Sequence, residues 1–269
     1  NMVDFQHKDS SNVRDLEEIV RLLRAPGGCP WDAEQTHQSI RRNFLEEAYE
    51  AAEAIDEESP EHLREELGDV LLQVVLHARM EQEAGRFDLD GVADGICKKL
   101  IFRHPHVFGD VTVSGTGEVL SNWEALKQEE KGQQTHTEAL EAVAHALPAL
   151  WRAEKVQKKA KKAGFDWPDI SGAMDKLSEE LSELRAAVEQ GSNVEEELGD
   201  LLFSVVNVSR FLKLDAEGAL NGATDKFIRR FRRVEQAAAA QNRTLEGMDL
   251  AELDKLWEDA KSDLNAETH

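Results

Sequence analysis

The sequence predicts an all-α protein made of one helical domain present twice. Three observations predict it. Six prolines and 6% aromatic residues stand beside abundant Ala, Leu, Glu and Arg, a composition that favours helix over strand. Leu67, Val70, Leu71, Val74 and Ala78 recur at helical spacing, with Glu66, Asp69 and Gln73 on the opposite side. Short segments also recur in one order along the chain. The only strand-like run, Val107 to Val113, is short.

The repeat sets the expected order of elements. Glu46-Glu47-Ala-Tyr-Glu50 is echoed by Glu179-Glu180-Leu-Ser-Glu183 at an offset of 133 residues, and Glu65-Glu66-Leu67-Gly68-Asp69 by Glu196-Glu197-Leu198-Gly199-Asp200 at an offset of 131. A second connecting turn shorter by two residues accounts for the difference. Arg79 then matches Arg210, Lys99-Leu-Ile-Phe-Arg103 matches Lys226-Phe-Ile-Arg-Arg230, and Trp123-Glu-Ala-Leu-Lys127 matches Trp257-Glu-Asp-Ala-Lys261. Each half should hold a leading helix, then a turn carrying Cys29-Pro30-Trp31-Asp32 or Phe165-Asp166-Trp167-Pro168. An antiparallel helix pair follows, joined at Asp56 to Pro60 or Gln190 to Asn193, and at least one further helix. The polar stretch Gln128 to Thr137 lacks apolar periodicity and marks the junction. The expected domains are 1–134 and 135–269.

The chain has 269 residues, 41% of them hydrophobic and 32% charged, which suffices for a packed core beneath a solvated surface. A formal charge of -22 argues against broad nucleic-acid binding, which needs Lys and Arg to displace counterions; it suits a protein that attracts cations. Cys29 and Cys97 are far apart and show no metal-type spacing, so a reducing cytoplasm is expected. Neither end reads as a signal peptide, and no apolar run approaches the roughly 18 residues of a membrane span.

Residues three or four apart share a helix face. Glu47 and Glu50 therefore project together, as do Glu66 and Asp69; Glu180 with Glu183 and Glu197 with Asp200 repeat the arrangement. If each helix pair packs antiparallel, four carboxylates face one gap and repel unless cations sit between them. Oxygen-only ligands of high charge suit a hard cation, here Mg2+, with Mn2+ as a possible substitute. A single acidic helix face is most often plain solvated surface. The duplication weighs against that, as does the glycine beside each second pair: Gly68 and Gly199 each cost about 1 kcal/mol against Ala. Close helix approach and ordinary helix packing both explain such a glycine.

A polyphosphate site also needs positive charge. Lys226, Arg229 and Arg230 share an amphipathic helix with Phe227, Ile228 and Phe231, and Trp257 and Lys261 lie one turn apart. The cations could equally be a stripe balancing the acidic remainder, and the tryptophan a core residue. The copies differ: Asn43 stands where the second has Lys176, and Phe102 where it has Arg229. The second copy is expected to be the main catalytic centre.

These residues, with Cys29-Pro30-Trp31-Asp32 and His104-Pro105-His106-Val107-Phe108-Gly109, resemble the MazG family of nucleoside triphosphate pyrophosphohydrolases, from about Leu22 to Lys261. The resemblance implies tandem helical bundles of the all-α NTP pyrophosphohydrolase type, a homodimer, and hydrolysis of NTPs or dNTPs to monophosphate and pyrophosphate. It implies that Glu180, Glu183, Glu197 and Asp200 bind Mg2+ and carry catalysis together with Glu179, which would orient the attacking water. Glu47, Glu50, Glu66 and Asp69 would bind metal in copy one. Lys176, Lys226, Arg229, Arg230, Trp257 and Lys261 would meet the nucleotide. Nucleotide-pool control would be the role. The rivals are an acidic helical adaptor needing no Mg2+, and the same enzyme narrowed to dUTP, dCTP or a modified nucleotide. No P-loop motif occurs, Lys99 breaks the Ca2+-loop reading of Asp88 to Asp94, and His104 and His106 read as loop residues.

Overall fold

Helix ends in this chain are written by short polar residues. In the computed structural model, which describes residues 5, 8–119, 122, 123, 126 and 135–267, Asn12 and Asp15 close a reciprocal capping box at the start of α1 (Val13–Arg24). Pro30 opens the short α2 (Pro30–Glu34), and α3 (Arg41–Asp56) follows. Ser59 accepts the His62 backbone N–H to start α4 (Pro60–Glu83), and Asp88 accepts that of Gly91 to start α5 (Leu89–Arg103). Asp88 is thus a helix cap and Asp90 pairs with Arg14, so neither serves a calcium loop. Val107 and Phe108, at the strand-like run, lie in the single turn α6 (Pro105–Phe108). No strand occurs among the described residues.

The chain separates into two compact units, Asn1–Glu130 and Lys131–His269. Lys127 and most of the expected junction lie outside the described residues, as does the expected boundary at residue 134. The second unit holds α7 (His136–Glu141), α8 (Ala149–Lys162), α9 (Ile170–Gln190), α10 (Val194–Leu212), α11 (Ala216–Ala240) and α12 (Leu250–Glu267). Asp169 caps α9 and Asp215 caps α11.

Each unit is organised by one antiparallel pair, α3 with α4 and α9 with α10. Both connections are three residues long, 57–59 and 191–193. The first turns through Glu58 at φ 54°, the second through Gly191 at 68° and Asn193 at 57°. The left-handed region is natural to glycine and tolerated by asparagine, but costs a glutamate more. The two-residue difference between the repeats therefore does not lie in the turn. Glu66 is the seventh residue of α4, whereas Glu197 is the fourth of α10; α9 runs one residue further past its acids than α3 does.

In the first unit α1 lies against α4, burying Val20, Val75, Leu76 and Met80 with Ile40. Beside this core, His37 Nδ1 lies 2.6 Å from His77 Nδ1, and His37 Nε2 lies 2.6 Å from Glu81 Oε1. Glu81 is also held by Arg86. In the second unit α8 packs on α10 and α11, and Gln157 donates to the Phe203 carbonyl at 2.8 Å. Arg210, 5% exposed, grips Asp166 of the loop before α9 at 2.5 and 3.0 Å.

Removing one member of a buried ion pair strands the other. Arg210→Ala should destabilise the second unit by about 3 kcal/mol, read from urea unfolding of the full chain. The first unit should show an acid limb. The Arg86 guanidinium and His37 hold the Glu81 carboxyl at about 2, below its usual 4.5. A depressed folded pKa means the stabilisation is complete above pH 4.5 and disappears as pH falls toward 2. Glu81→Gln should flatten that limb in a pH series of melting temperatures.

Candidate metal and nucleotide site

The antiparallel pairs bring the predicted acids together. Carboxylate oxygens of Glu180, Glu183 and Glu197 lie within 4.8 Å of one another, as do those of Glu47, Glu66 and Asp69. Asp200, one turn beyond Glu197 on α10, and Glu50, on α3, stand outside these three-membered sets and are exposed. Glu50 nevertheless stands close enough to Glu47 for its charge to be felt there.

The electrostatics differ between the copies. Burial, then the charges of Asp69 and Glu50, push the Glu47 carboxyl above its ordinary value. Burial and Glu180 raise Glu183, but Lys176 opposes them. Lys176 Nζ reaches Glu180 at 2.6 Å and Glu179 at 2.8 Å, and these two carboxylates hold its ammonium above the usual range. Asn43 offers the first unit no such charge. Its cluster instead has His62, which lies 2.7 Å from Glu57 and 3.2 Å from Glu66, with a raised pKa caused first by Glu57. The spacing of His62 and Glu66, one turn apart, could have revealed this contact. Glu197 lies in the first turn of α10, where the helix dipole favours a carboxylate; Glu66 lies nearly one turn deeper.

The donor set fits a hard divalent cation. It consists of carboxylates alone, and Glu180, only 5% exposed, keeps Oε2 buried without a hydrogen-bond partner. A buried charged oxygen left so is costly unless a cation meets it. The glycines carry a different message from close helix approach. A Cβ added to Gly68 or Gly199 would meet nothing within 4 Å, so neither brings a neighbouring helix of its own unit nearer.

The cations and the tryptophan gather on α11 and α12. Arg230 sits over the Trp257 ring at 5.9 Å, just as Arg103 sits over Trp123 at 5.3 Å in the first unit. Phe227 lies 5.0 Å from Trp257, and both line a hollow of about 470 Å3 with Phe231, Leu245, Leu250 and Leu253. The sequence pattern points to Trp257, Phe227 and Phe231, but not to Leu245, Leu250 and Leu253. Lys261 pairs with Glu258 at 2.7 Å. Lys226 and Arg229 are exposed and without an ion-pair partner among the described residues. Among the described residues no ion pair joins these cations to the α9–α10 acids, and Lys176 alone is paired with that cluster.

An all-helical unit with carboxylates gathered on an antiparallel helix pair, present twice, defines a class. The chain belongs to the MazG family: the MazG nucleotide pyrophosphohydrolase domain matches residues 35–108 and 170–234, each spanning one helix pair. Over 256 residues it is 46% identical to the nucleoside triphosphate pyrophosphohydrolase of Escherichia coli K12, covering 93% of this chain and 97% of that protein. It is 45% identical over 247 residues to the nucleoside triphosphate pyrophosphohydrolase/pyrophosphatase MazG of Thermotoga maritima, covering 92% and 94%. It is also 49% identical over 249 residues to the uncharacterized protein YabN of Bacillus subtilis, of which it spans 51%. The chain is therefore an enzyme of the nucleotide pyrophosphohydrolase class.

Because the folded state disfavours ionised Glu47, that charge subtracts stability at neutral pH, and the penalty fades as pH falls through the raised pKa. Glu47→Gln should raise the melting temperature of the metal-free chain, read by calorimetry in chelator.

Proposed function

We propose that the chain hydrolyses nucleoside triphosphates, ribo- or deoxyribo-, to the monophosphate and pyrophosphate, with Mg2+ as its metal and Mn2+ as a substitute. The convergence of Glu180, Glu183 and Glu197 beside Lys176 carries this reading. Relatives covered almost end to end bear the name nucleoside triphosphate pyrophosphohydrolase. Glu180, Glu183, Glu197 and Asp200 are the proposed ligands; bound Mg2+ supplies Lewis acidity toward phosphate oxygens and an acidified water.

The residues then divide the work. Glu179, 57% exposed and tied among the described residues only to Lys176, is free to orient the attacking water toward the α-phosphorus. Lys176, held by Glu180 and Glu179, would turn to the phosphates where a metal met the Glu180 charge. Lys226, Arg229 and Arg230 balance the charge that collects on the departing pyrophosphate, the main electrostatic demand of phosphoryl chemistry. Trp257 and Phe227 offer the base an apolar wall, which reads a ring rather than its exocyclic groups. Lys261 stands one turn from Trp257 for a further phosphate or sugar contact. The first-unit acids hold metal, while Asn43 and Phe102 leave that copy short of phosphate contacts.

A homodimer completes this reading. Met174, Leu181 and Val188 on α9, and Leu198, Leu202 and Val205 on α10, form apolar stripes 42 to 61% exposed. Stripes at helical spacing on the site-bearing pair mark a face made for burial. No helix among the described residues is long and apolar enough to cross a membrane. Cys29 and Cys97 are both free thiols, which suits a cytoplasmic enzyme acting on the nucleotide pool.

Incubation with Mg2+ and each NTP and dNTP, followed by phosphorus NMR, should show monophosphate and pyrophosphate. Glu197→Ala should lower turnover at least a hundredfold without loss of helical signal, while Glu66→Ala retains most of it. Diphosphate with phosphate as products would overturn the cleavage site; full activity in Glu197→Ala would overturn the metal assignment.

A further inference from the structure

Against the charge of -22, helix α8 stands out. Its 14 residues carry Arg152, Lys155, Lys158, Lys159, Lys161 and Lys162 against one carboxylate, Glu154. The lysines of the last turn complement the helix dipole. Lys155 and Lys158 lie further in, on the face that also presents Trp151, at the four- and seven-residue spacing of one helix side. That face lines a cavity of about 500 Å3 with Arg210, Lys213, Leu214 and Asp215.

The pairing inside the cavity leaves positive charge over. Glu154 is taken by Lys158 at 2.7 Å. Asp215 accepts the Glu217 backbone N–H at 3.1 Å and the Trp151 indole N–H at 3.3 Å, which fixes the indole at the rim. Arg210 is bound to Asp166. Lys155 and Lys213 have no carboxylate partner among the described residues. Lys213 is held at φ 58°, a left-handed position at the end of α10 that disfavours lysine over glycine.

The fold alone does not require this. At the matching end of α4 the residues are Glu81-Gln82-Glu83, where the second unit has Leu212-Lys213-Leu214, and Glu83 pairs there with Arg79 and Arg24. The cavity also lies apart from the acids: from Asp200 to Leu212 along α10 is roughly 18 Å at the helical rise.

We propose that this cavity binds a phosphate-bearing planar anion of nucleoside monophosphate size, with phosphate at Lys155 and Lys213 and the ring against Trp151. Its volume falls within the usual range of small-molecule sites, and two unpaired ammoniums suit a phosphate dianion. The assignment stands on the cavity alone and does not depend on the proposed reaction.

The test is calorimetric titration of the full chain in chelator, which removes metal-dependent phosphate binding at the acids, with adenosine monophosphate, pyrophosphate and inorganic phosphate in turn. Adenosine monophosphate should saturate one site per chain, more weakly as salt rises. Lys155→Glu with Lys213→Glu should weaken it at least tenfold while leaving Mg2+-dependent triphosphate hydrolysis unchanged. Trp151→Leu should weaken adenosine monophosphate but not pyrophosphate. If charge reversal disturbs melting, Lys155→Gln with Lys213→Gln replaces it. Binding unchanged by the lysine variants would overturn the proposal. So would binding lost instead in Lys226→Ala with Arg230→Ala, or no binding of any of the three anions at millimolar concentration.

Discussion

Mutual repulsion among carboxylates is the constraint around which each unit is arranged. A helix pair joined by three residues keeps its members close, so Glu180 and Glu183 meet Glu197 across one gap, and Glu47 meets Glu66 and Asp69 across the other. Hydrophobic burial behind the pair, at Val75 and Leu76 in one unit and Val206 in the other, supplies what opposes the repulsion. The result is a pre-formed, electronegative cleft whose geometry is set by turns and core rather than by any ligand. Preorganisation of this kind is what electrostatic catalysis exploits.

The duplication then allowed each cleft to be balanced differently. The second unit uses an ammonium, Lys176, between Glu179 and Glu180. The first uses an imidazole, His62, on the far side of Glu66. The three-residue lengthening at the start of α4 brings His62 into play, since it adds the turn that carries it. The same change removes Glu66 from the helix N-terminus that Glu197 still occupies. One local length change thus altered both the partner and the dipole environment of an equivalent acid.

Much of this was legible in the sequence, and for a definable reason. Helical periodicity around Leu67 to Ala78 is a local signal, so element type followed from it. The convergence of Glu180 with Glu197 followed from face sharing plus a short connection. What escaped were facts that depend on the third dimension. The turns proved equal in length because the helix ends on either side, not the turns, absorbed the difference. The Arg210–Asp166 pair joins residues 44 apart, and nothing in spacing announces it. Gly68 and Gly199 looked like contact residues, yet each faces open space in its own unit, because a glycine records room for a backbone without saying whose.

Lys176 also changes what it means to load the second cleft. Its ammonium already stands against the acids before anything binds. The first cleft has His62 in that part, and an imidazole, unlike an ammonium, can lose its charge near neutral pH. The net charge of the first cleft therefore follows pH in a range where the second is held steady by its lysine.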